Sequence, residues 1–212
     1  MKKLYNRILD HIPGHARKPL VIVFLYNMLV FYLPRILRVL LHANRYYVFD
    51  SALDSKIPLL PFMIVIYLGS YAFWAVNYVL CSRYDEKQAK QFLYADLIGK
   101  TVCLFFYIFL PTTMERADPI GNDLFTFLLR FLYRVDMPDN LFPSIHCFCS
   151  WLCYIGMRRD ERYPRKYRVF SLIFAIAVCI STVTVKQHLF IDIPAGVLLA
   201  EASFWLSKKL FK

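Results

Sequence analysis

The stretch IPLLPFMIVIYLGSYAFWAVNYVLCS, residues 57–82, decides the fold class of this chain because it contains no formal charge. About 20 apolar residues suffice to cross the hydrocarbon core of a bilayer. The composition agrees, since 58% of the 212 residues are hydrophobic and only 19% are charged, which departs from soluble proteins in the direction of membrane proteins. We therefore predict an integral membrane protein.

Five shorter charge-free runs accompany this stretch. They are residues 19–34, 101–114, 140–157, 169–185 and 193–200. Flanking residues that snorkel or face the protein interior can extend each run, so we predict an all-α polytopic membrane helix bundle of about six transmembrane helices. The first, third and sixth runs are marginal on their own, and four or five spans are the alternative. No repeat or linker divides the chain, which predicts a single domain over residues 1–212, with the first run retained as an anchor.

The positions of lysine and arginine predict the orientation of this bundle. With six spans, seventeen of these residues fall on the side of both termini and of the loop 158–168, and eight fall on the other side. Positively charged loops are retained in the cytoplasm. We therefore expect a cell-membrane protein with both termini cytoplasmic. The net charge of +11 is then a topology signal, and we expect no nucleic-acid partner, since that would need a basic face on a soluble domain.

The string Pro143-Ser144-Ile145-His146 begins one of the apolar runs. Proline is tolerated in the first turn of a helix, so we predict a helix that starts near Ser144. The free backbone N–H groups at a helix start favour an anion. The Ser144 hydroxyl adds a donor, and His146 can give a proton to a leaving oxygen. The structural alternative is a serine at a helix start and a hydrogen-bonded histidine with no catalytic role.

The string Lys186-Gln187-His188, followed by Asp192, precedes the last apolar run. A spacing of four places His188 and Asp192 on one helix face, although Pro194 prefers the first turn of the next helix and would leave His188 just outside it. An aspartate that accepts from one imidazole nitrogen leaves the other nitrogen free as a nucleophile. The alternative is an ordinary hydrogen bond at the membrane interface.

Two cations lie on the same predicted side as these histidines. Lys186 lies two residues before His188, and Arg116 follows the third apolar run. A phosphoryl group in transfer spreads negative charge over its oxygens, and cations stabilise that charge, so the pair predicts a phosphate site. Each cation alone is alternatively an interfacial snorkelling residue. No carboxylate cluster with metal-ligand spacing accompanies the histidines, and we expect neither a metal nor another cofactor.

These strings resemble those of the type 2 phosphatidic acid phosphatase superfamily, membrane enzymes that share a phosphate site with bacterial acid phosphatases and vanadium haloperoxidases. The family carries Pro-Ser-Gly-His and Ser-Arg-x5-His-x3-Asp strings, which here read Pro143-Ser144-Ile145-His146 and Ser181-Thr182-x5-His188-x3-Asp192. The resemblance implies that His188 forms a phosphohistidine, that Asp192 orients it and that His146 protonates the departing oxygen. It also implies that Arg116, Lys186 and Ser144 hold the phosphate.

The chain departs from the family strings at several positions. Thr182 replaces an arginine, and Phe109 and Ala117 replace the lysine and the proline of a Lys-x6-Arg-Pro string. Ile145 in place of glycine is similar to the branch that includes inositol phosphorylceramide and sphingomyelin synthases. We expect an enzyme that hydrolyses a lipid phosphate monoester at the outer leaflet. The alternatives are transfer of a headgroup to a lipid alcohol and a non-catalytic membrane protein with a vestigial site.

Two further features have less specific interpretations. Arg35, Arg38, His42 and Arg45 recur at helical spacing, which predicts an amphipathic helix at the outer interface that either anchors the protein or attracts anionic lipid. Glu201 lies roughly 13 Å beyond Asp192 at the rise of an α-helix. A carboxylate inside a bilayer is a functional candidate by default, and its alternative role is that of a paired packing residue.

Overall fold

The computed structural model describes residues 12–43 and 45–211. Four of the seventeen lysines and arginines predicted on the side of the termini lie outside these ranges, namely Lys2, Lys3, Arg7 and Lys212. The described part contains seven α-helices and no β-sheet. The helices are α1 (Gly14–Leu40), α2 (Ile64–Cys81), α3 (Glu86–Phe109), α4 (Leu124–Val135), α5 (Ile145–Arg158), α6 (Arg165–Thr184) and α7 (Asp192–Leu210). Two short 3-10 helices, Asp54–Lys56 and Pro61–Met63, precede α2. The predicted all-α fold is confirmed, while the single-domain assignment stays a prediction.

Each of the six predicted apolar runs contributes to a helix. Within the described residues, four segments are long and apolar enough to cross a membrane. These are Gly14–Leu40, Pro61–Cys81, Glu86–Phe109 and Arg165–Thr184. Helix α5 has 14 residues, about 21 Å of helix against a hydrocarbon core of roughly 30 Å. Helix α7 carries Glu201 and two lysines. The membrane bundle is therefore supported, and the count of six spans stays a prediction.

The helices alternate in direction, so that the histidines meet at one end of the bundle. The Tyr107 hydroxyl near the end of α3 donates to the carbonyl oxygen of Pro143, just before α5, at 2.7 Å. At the opposite end, Tyr163 in the basic loop after α5 donates to the carbonyl oxygen of Leu80 at 2.8 Å. The histidine motifs and the basic loop thus lie at opposite ends. Which end faces the cytoplasm stays a prediction.

Helix α5 lies in the middle of the bundle, and most of its side chains are buried. Glycine permits the close approach of α7. A Cβ atom on Gly196 would lie 2.8 Å from the carbonyl oxygen of Ser144 and 2.9 Å from the Cβ atom of Cys147, closer than van der Waals contact allows. This approach places the first turn of α7, with Asp192, beside the start of α5.

The structure changes one sequence interpretation and decides between the two that were open for Glu201. Helix α1 continues without a break to Leu40, so Arg35 and Arg38 belong to its last turns and not to a separate interfacial helix. Glu201 accepts from both terminal nitrogens of Arg158 and from the indole nitrogen of Trp151. Glu201 is therefore a paired residue on the face between α5 and α7, as the structural alternative expected.

The cysteines pack inside the helix bundle. All six are buried, and none forms a disulfide. Their positions are Cys81, Cys103, Cys147, Cys149, Cys153 and Cys179. Buried free cysteines behave as small hydrophobic residues.

Candidate active site

His146 and His188 line one cavity of about 260 Å³ at the end of the bundle where α5 and α7 begin. We call it the histidine cavity. Its walls come from α1, α2, the segment 136–146 and the loop between α6 and α7. Aromatic side chains make up much of the lining, namely Phe31, Tyr32, Tyr67, Tyr71, Trp74 and Tyr107. The structure thus brings together two residues that lie 42 positions apart in the chain, His146 and His188.

Ser144 and His146 are positioned by the start of α5. Ser144 is the N-cap residue, and its hydroxyl oxygen accepts from the backbone N–H of Cys147 at 3.3 Å. Pro143 therefore lies one residue before the cap, not in the first turn as predicted. The His146 ring stacks on Tyr67 at 4.3 Å between centroids and also contacts Trp74 at 5.0 Å. Its Nε2 atom is buried without a protein partner, so it is available to a ligand in the cavity.

His188 lies in the loop after α6, outside α7, as the position of Pro194 predicted. Its Nδ1 atom lies 3.0 Å from the carbonyl oxygen of Leu141 and 3.1 Å from Oδ2 of Asp192. Both oxygens are acceptors, so Nδ1 carries the proton and Nε2 has the free lone pair. Asp192 is 1% exposed and also accepts from the backbone N–H of Leu189 at 3.0 Å. The pair has the geometry of an oriented imidazole nucleophile.

Burial and Asp192 act in opposite directions on the pKa of His188. Burial disfavours the charged imidazolium, but the hydrogen bond to Asp192 and its negative charge outweigh this effect and raise the pKa. A nucleophilic nitrogen that forms a bond to phosphorus gains positive charge, and the same carboxylate stabilises that charge. Asp192 therefore holds one tautomer of His188 and is placed to stabilise positive charge on its ring.

The distance between the histidine rings suits a phosphoryl group. Their centroids are 6.0 Å apart. Reacting atoms in a near-attack geometry are about 3–3.5 Å apart, so one tetrahedral phosphoryl group fits between an attacking imidazole and a proton donor on its far side. The arrangement can therefore support attack by one histidine and protonation by the other.

Arg116 reaches this site through another side chain. Its guanidinium donates to the carbonyl oxygen of Asp136 and to Oε1 of Gln187, both at 2.7 Å, and lies over the ring of Tyr133 at 4.7 Å. Its Nε atom is buried without a partner. Burial lowers the pKa of Arg116, and the carboxylate of Asp136 acts against that shift. Arg116 is thus adjacent to the histidine cavity, but Gln187 stands between them.

Lys186 is directed toward a different part of the chain. Its backbone is left-handed, with φ of 53°, and its amino group donates to the carbonyl oxygens of Asp54 and Ile57 at 3.0 and 2.7 Å. Burial lowers the pKa of this amine, and the charge of Asp54 raises it. Lys186 does not line the histidine cavity, although it lines a second hollow of about 490 Å³ together with His188. Its role as a phosphate ligand stays a prediction.

The charged residues in the lining of the histidine cavity are paired with one another. Arg35 is the one lysine or arginine among the described lining residues, and it forms ion pairs with Asp136 and Asp139. Arg38 also pairs with Asp139 at 2.7 Å. The cavity therefore contains little unbalanced positive charge. This network also joins the end of α1 to the segment that leads into α5.

Two buried side-chain amides of the cavity were not recognised in the sequence, and a third amide, Asn27, lines it from α1. Asn140 and Gln187 line it and are 8% and 3% exposed. Gln187 adjoins His188, which was the only available signal. Asn140 has φ of 58°, a backbone conformation that asparagine tolerates better than most residues.

At the position of the family arginine, Thr182 is buried and donates to the carbonyl oxygen of Cys179.

Within residues 12–43 and 45–211, no group of three or more His, Cys, Asp or Glu side chains could hold a metal ion.

Comparison with known proteins assigns most of this bundle to one family. The model of the PAP2 superfamily matches residues 67–212, more than half of the chain. The matched range includes Arg116, both histidine motifs and the aromatic side of α2, and it excludes α1. No curated protein and no solved structure matches the chain.

Proposed function

This chain belongs to the PAP2 superfamily, whose members are generally phosphatases, and we propose that it hydrolyses a lipid phosphate monoester at the outer leaflet through a phosphohistidine on His188. The observation that carries the proposal is the position of His188. Its Nδ1 proton is held by Leu141 and Asp192, and its ring faces that of His146 across one cavity.

In the first step, Nε2 of His188 attacks phosphorus, and the bond between phosphorus and the lipid oxygen breaks. Protonated His146 gives its proton to that oxygen, so the lipid leaves as an alcohol. In the second step, neutral His146 takes a proton from a water molecule that attacks phosphorus. The P–N bond breaks, inorganic phosphate leaves, and both histidines return to their initial states.

The side of the membrane is proposed from charge and geometry together. The basic loop after α5 lies at the end of the bundle opposite the histidines, and positive loops are retained in the cytoplasm. The proposed substrate is accordingly a lipid of the outer leaflet. Ser144, at the start of α5, is a proposed phosphate contact, and Arg116 is proposed to support the phosphate site from behind Gln187.

The test uses purified protein in detergent with phosphatidic acid, lysophosphatidic acid and polyprenyl phosphates. We expect release of inorganic phosphate from at least one of them, and no release by the His188→Ala variant. His15→Ala is a matched control, because His15 contacts the carbonyl oxygen of Ser82 at the far end of the bundle. If no lipid phosphate is turned over and no phospholipid serves as a donor, the chain is a non-catalytic membrane protein and the proposal is wrong.

Transfer of a headgroup to a lipid alcohol is the second candidate. This reaction is favoured by the aromatic lining of the histidine cavity and by the pairing of Arg35 with two carboxylates. A site with little net positive charge suits a phosphodiester, which carries one negative charge, better than a dianionic monoester. Incubation with a phospholipid donor and labelled diacylglycerol, ceramide or prenyl alcohol separates the two reactions. A labelled phospholipid that forms faster than inorganic phosphate identifies a transferase.

A further inference from the structure

Two side-chain amides in the histidine cavity carry buried polar atoms without a partner. These atoms are Nε2 of Gln187 and both Nδ2 and Oδ1 of Asn140. The two side chains are 3% and 8% exposed, and both line the cavity with His146 and His188. Buried polar groups in native proteins are almost always hydrogen-bonded. Two such amides around one cavity therefore point to a bound polar ligand.

The orientation of the Gln187 amide follows from its neighbour. A guanidinium group has only donors, so the Gln187 atom that lies 2.7 Å from Nη2 of Arg116 is the oxygen. The amide NH₂ group consequently points away from Arg116. Since Gln187 lines the cavity, its free atom is a donor and not an acceptor.

Asn140 is held in place by both of its neighbours in the chain. Asp139 pairs with Arg35 and Arg38, and the N–H group of Leu141 donates to the Thr112 hydroxyl oxygen at 3.1 Å. The carbonyl oxygen of Leu141 in turn accepts from His188. The backbone at Asn140 is thus fixed relative to the nucleophile, and a pre-positioned donor is more effective than a mobile one.

The charged side chains of the lining do not by themselves favour an anionic ligand, so an anion in this cavity depends on neutral donors. Arg35, the one lysine or arginine among the described lining residues, is already paired with two aspartates. Tetrahedral oxyanions are bound in proteins by cations or by converging N–H donors. With the cation engaged elsewhere, Gln187 and Asn140 supply buried N–H donors without a partner that can converge on oxygen atoms between the histidines. The third amide of the lining, Asn27 on α1, is only partly buried.

We propose that the side-chain NH₂ groups of Gln187 and Asn140 bind the phosphoryl oxygens of the substrate, with Arg116 polarising Gln187 from behind. This inference rests on the proposed function, since it takes a phosphoryl group as the occupant of the cavity. It assigns substrate contacts to two neutral residues, and it makes Arg116 a positioning residue that acts through Gln187.

The experiment measures binding of orthovanadate, a phosphate analogue, to purified protein in detergent by ⁵¹V NMR, so that the readout does not depend on turnover. Gln187→Glu keeps an oxygen for Arg116 and replaces the free donor by an acceptor. Gln187→Met removes the donor without adding charge, and Asn140→Asp keeps a residue that tolerates the left-handed backbone. We expect each variant to bind vanadate about tenfold or more weakly, as loss of a hydrogen bond to a charged group predicts.

Gln91→Glu is the matched control, because the Gln91 amide donates to the carbonyl oxygen of Phe211 at the far end of the bundle. The same chemical change at that position should leave vanadate binding unaltered. Melting temperatures check that the variants are folded. Wild-type binding by Gln187→Met and Asn140→Asp would overturn the inference while leaving the phosphatase proposal intact. Weakened binding by Gln187→Glu alone would also overturn it, because a nearby negative charge would then explain the loss. If the wild-type protein neither binds vanadate nor hydrolyses any lipid phosphate, the proposed function itself fails.

Discussion

Replacing Asp192 by asparagine separates the charge of this residue from its geometry. Oδ2 of Asp192 accepts from two donors, Nδ1–H of His188 at 3.1 Å and the backbone N–H of Leu189 at 3.0 Å. A backbone N–H requires an oxygen at this place, so the asparagine oxygen should occupy it and its NH₂ group should take the place of Oδ1. Leu141 also accepts from Nδ1. The Asp192→Asn variant should therefore keep the reactive tautomer of His188 and lose only the negative charge.

The expected loss of activity follows from this geometry. A hydrogen bond to a charged group contributes about 1.5–3 kcal/mol and a neutral one about 0.5–1.5 kcal/mol. The difference, about 1–2 kcal/mol, corresponds to a decrease of about 5- to 30-fold in kcat/KM. In a Ser-His-Asp triad the same substitution costs about 10⁴-fold because the tautomer is wrong. A loss of that size here would refute the argument that Leu189 and Leu141 hold the tautomer.

The pH dependence of the same variant tests the electrostatic role of Asp192. His188 must be neutral to attack, so kcat/KM rises with pH through its pKa, which Asp192 raises against the effect of burial. Without the carboxylate charge, burial remains and lowers the pKa, so the acidic limb of the profile should move to lower pH. The assay is kcat/KM for a lipid phosphate in mixed micelles across this limb, with Asp118→Asn, an exposed site, as the control. An unchanged limb, or one displaced to higher pH, would show that Asp192 does not raise this pKa.

Three further predictions concern neighbouring residues and the topology. His146→Ala should abolish hydrolysis of lipid phosphates but spare phosphoenzyme formation from esters with good leaving groups, which need no proton; equal losses with both kinds of ester would remove this role. Lys186→Ala should lower the melting temperature and reduce kcat/KM by less than about threefold, because the Lys186 amine binds backbone carbonyls. A loss of about a hundredfold, as expected when a charge-stabilising donor is removed, would identify Lys186 as a phosphate contact. Single cysteine reporters in the loop 158–168 should react only from the cytoplasm and reporters near Asp136 only from outside, and the reverse pattern would place the site on the cytoplasmic face.

Local features of the site could be predicted from the sequence. The helix start at Ser144 and the contact between His188 and Asp192 depend on residues that are close together in the chain and on capping and proline preferences. The charge-free runs predicted where helices lie, because burial in lipid or protein removes formal charge over a long segment. They could not define the number of spans, since α5, with 14 residues, is enclosed by other helices and is shorter than a bilayer core.

Other features of the site depend on contacts between distant residues. Lys186 was expected at the phosphate because it lies two residues from His188, but a left-handed backbone at Lys186 turns its amine toward Asp54 and Ile57. Nothing local predicts that conformation for a lysine. Gln187 and Asn140 could not be singled out either, because amides are common in loops and their significance here is that they are buried without partners.

The two sides of the histidine cavity have different relations to the family. The histidines, Asp192 and the aromatic residues of α2 lie within residues 67–212, the range that matches the PAP2 superfamily. The opposing wall comes from α1, including Asn27, Phe31 and Arg35, and lies outside that range. In the proposed mechanism the groups that act at phosphorus lie on the first side, whereas a lipid substrate in the cavity would also contact the second. We therefore expect α1, which lies outside the range matched to the family, to determine which lipid binds. Substitutions on this wall should alter substrate preference more than phosphoenzyme formation.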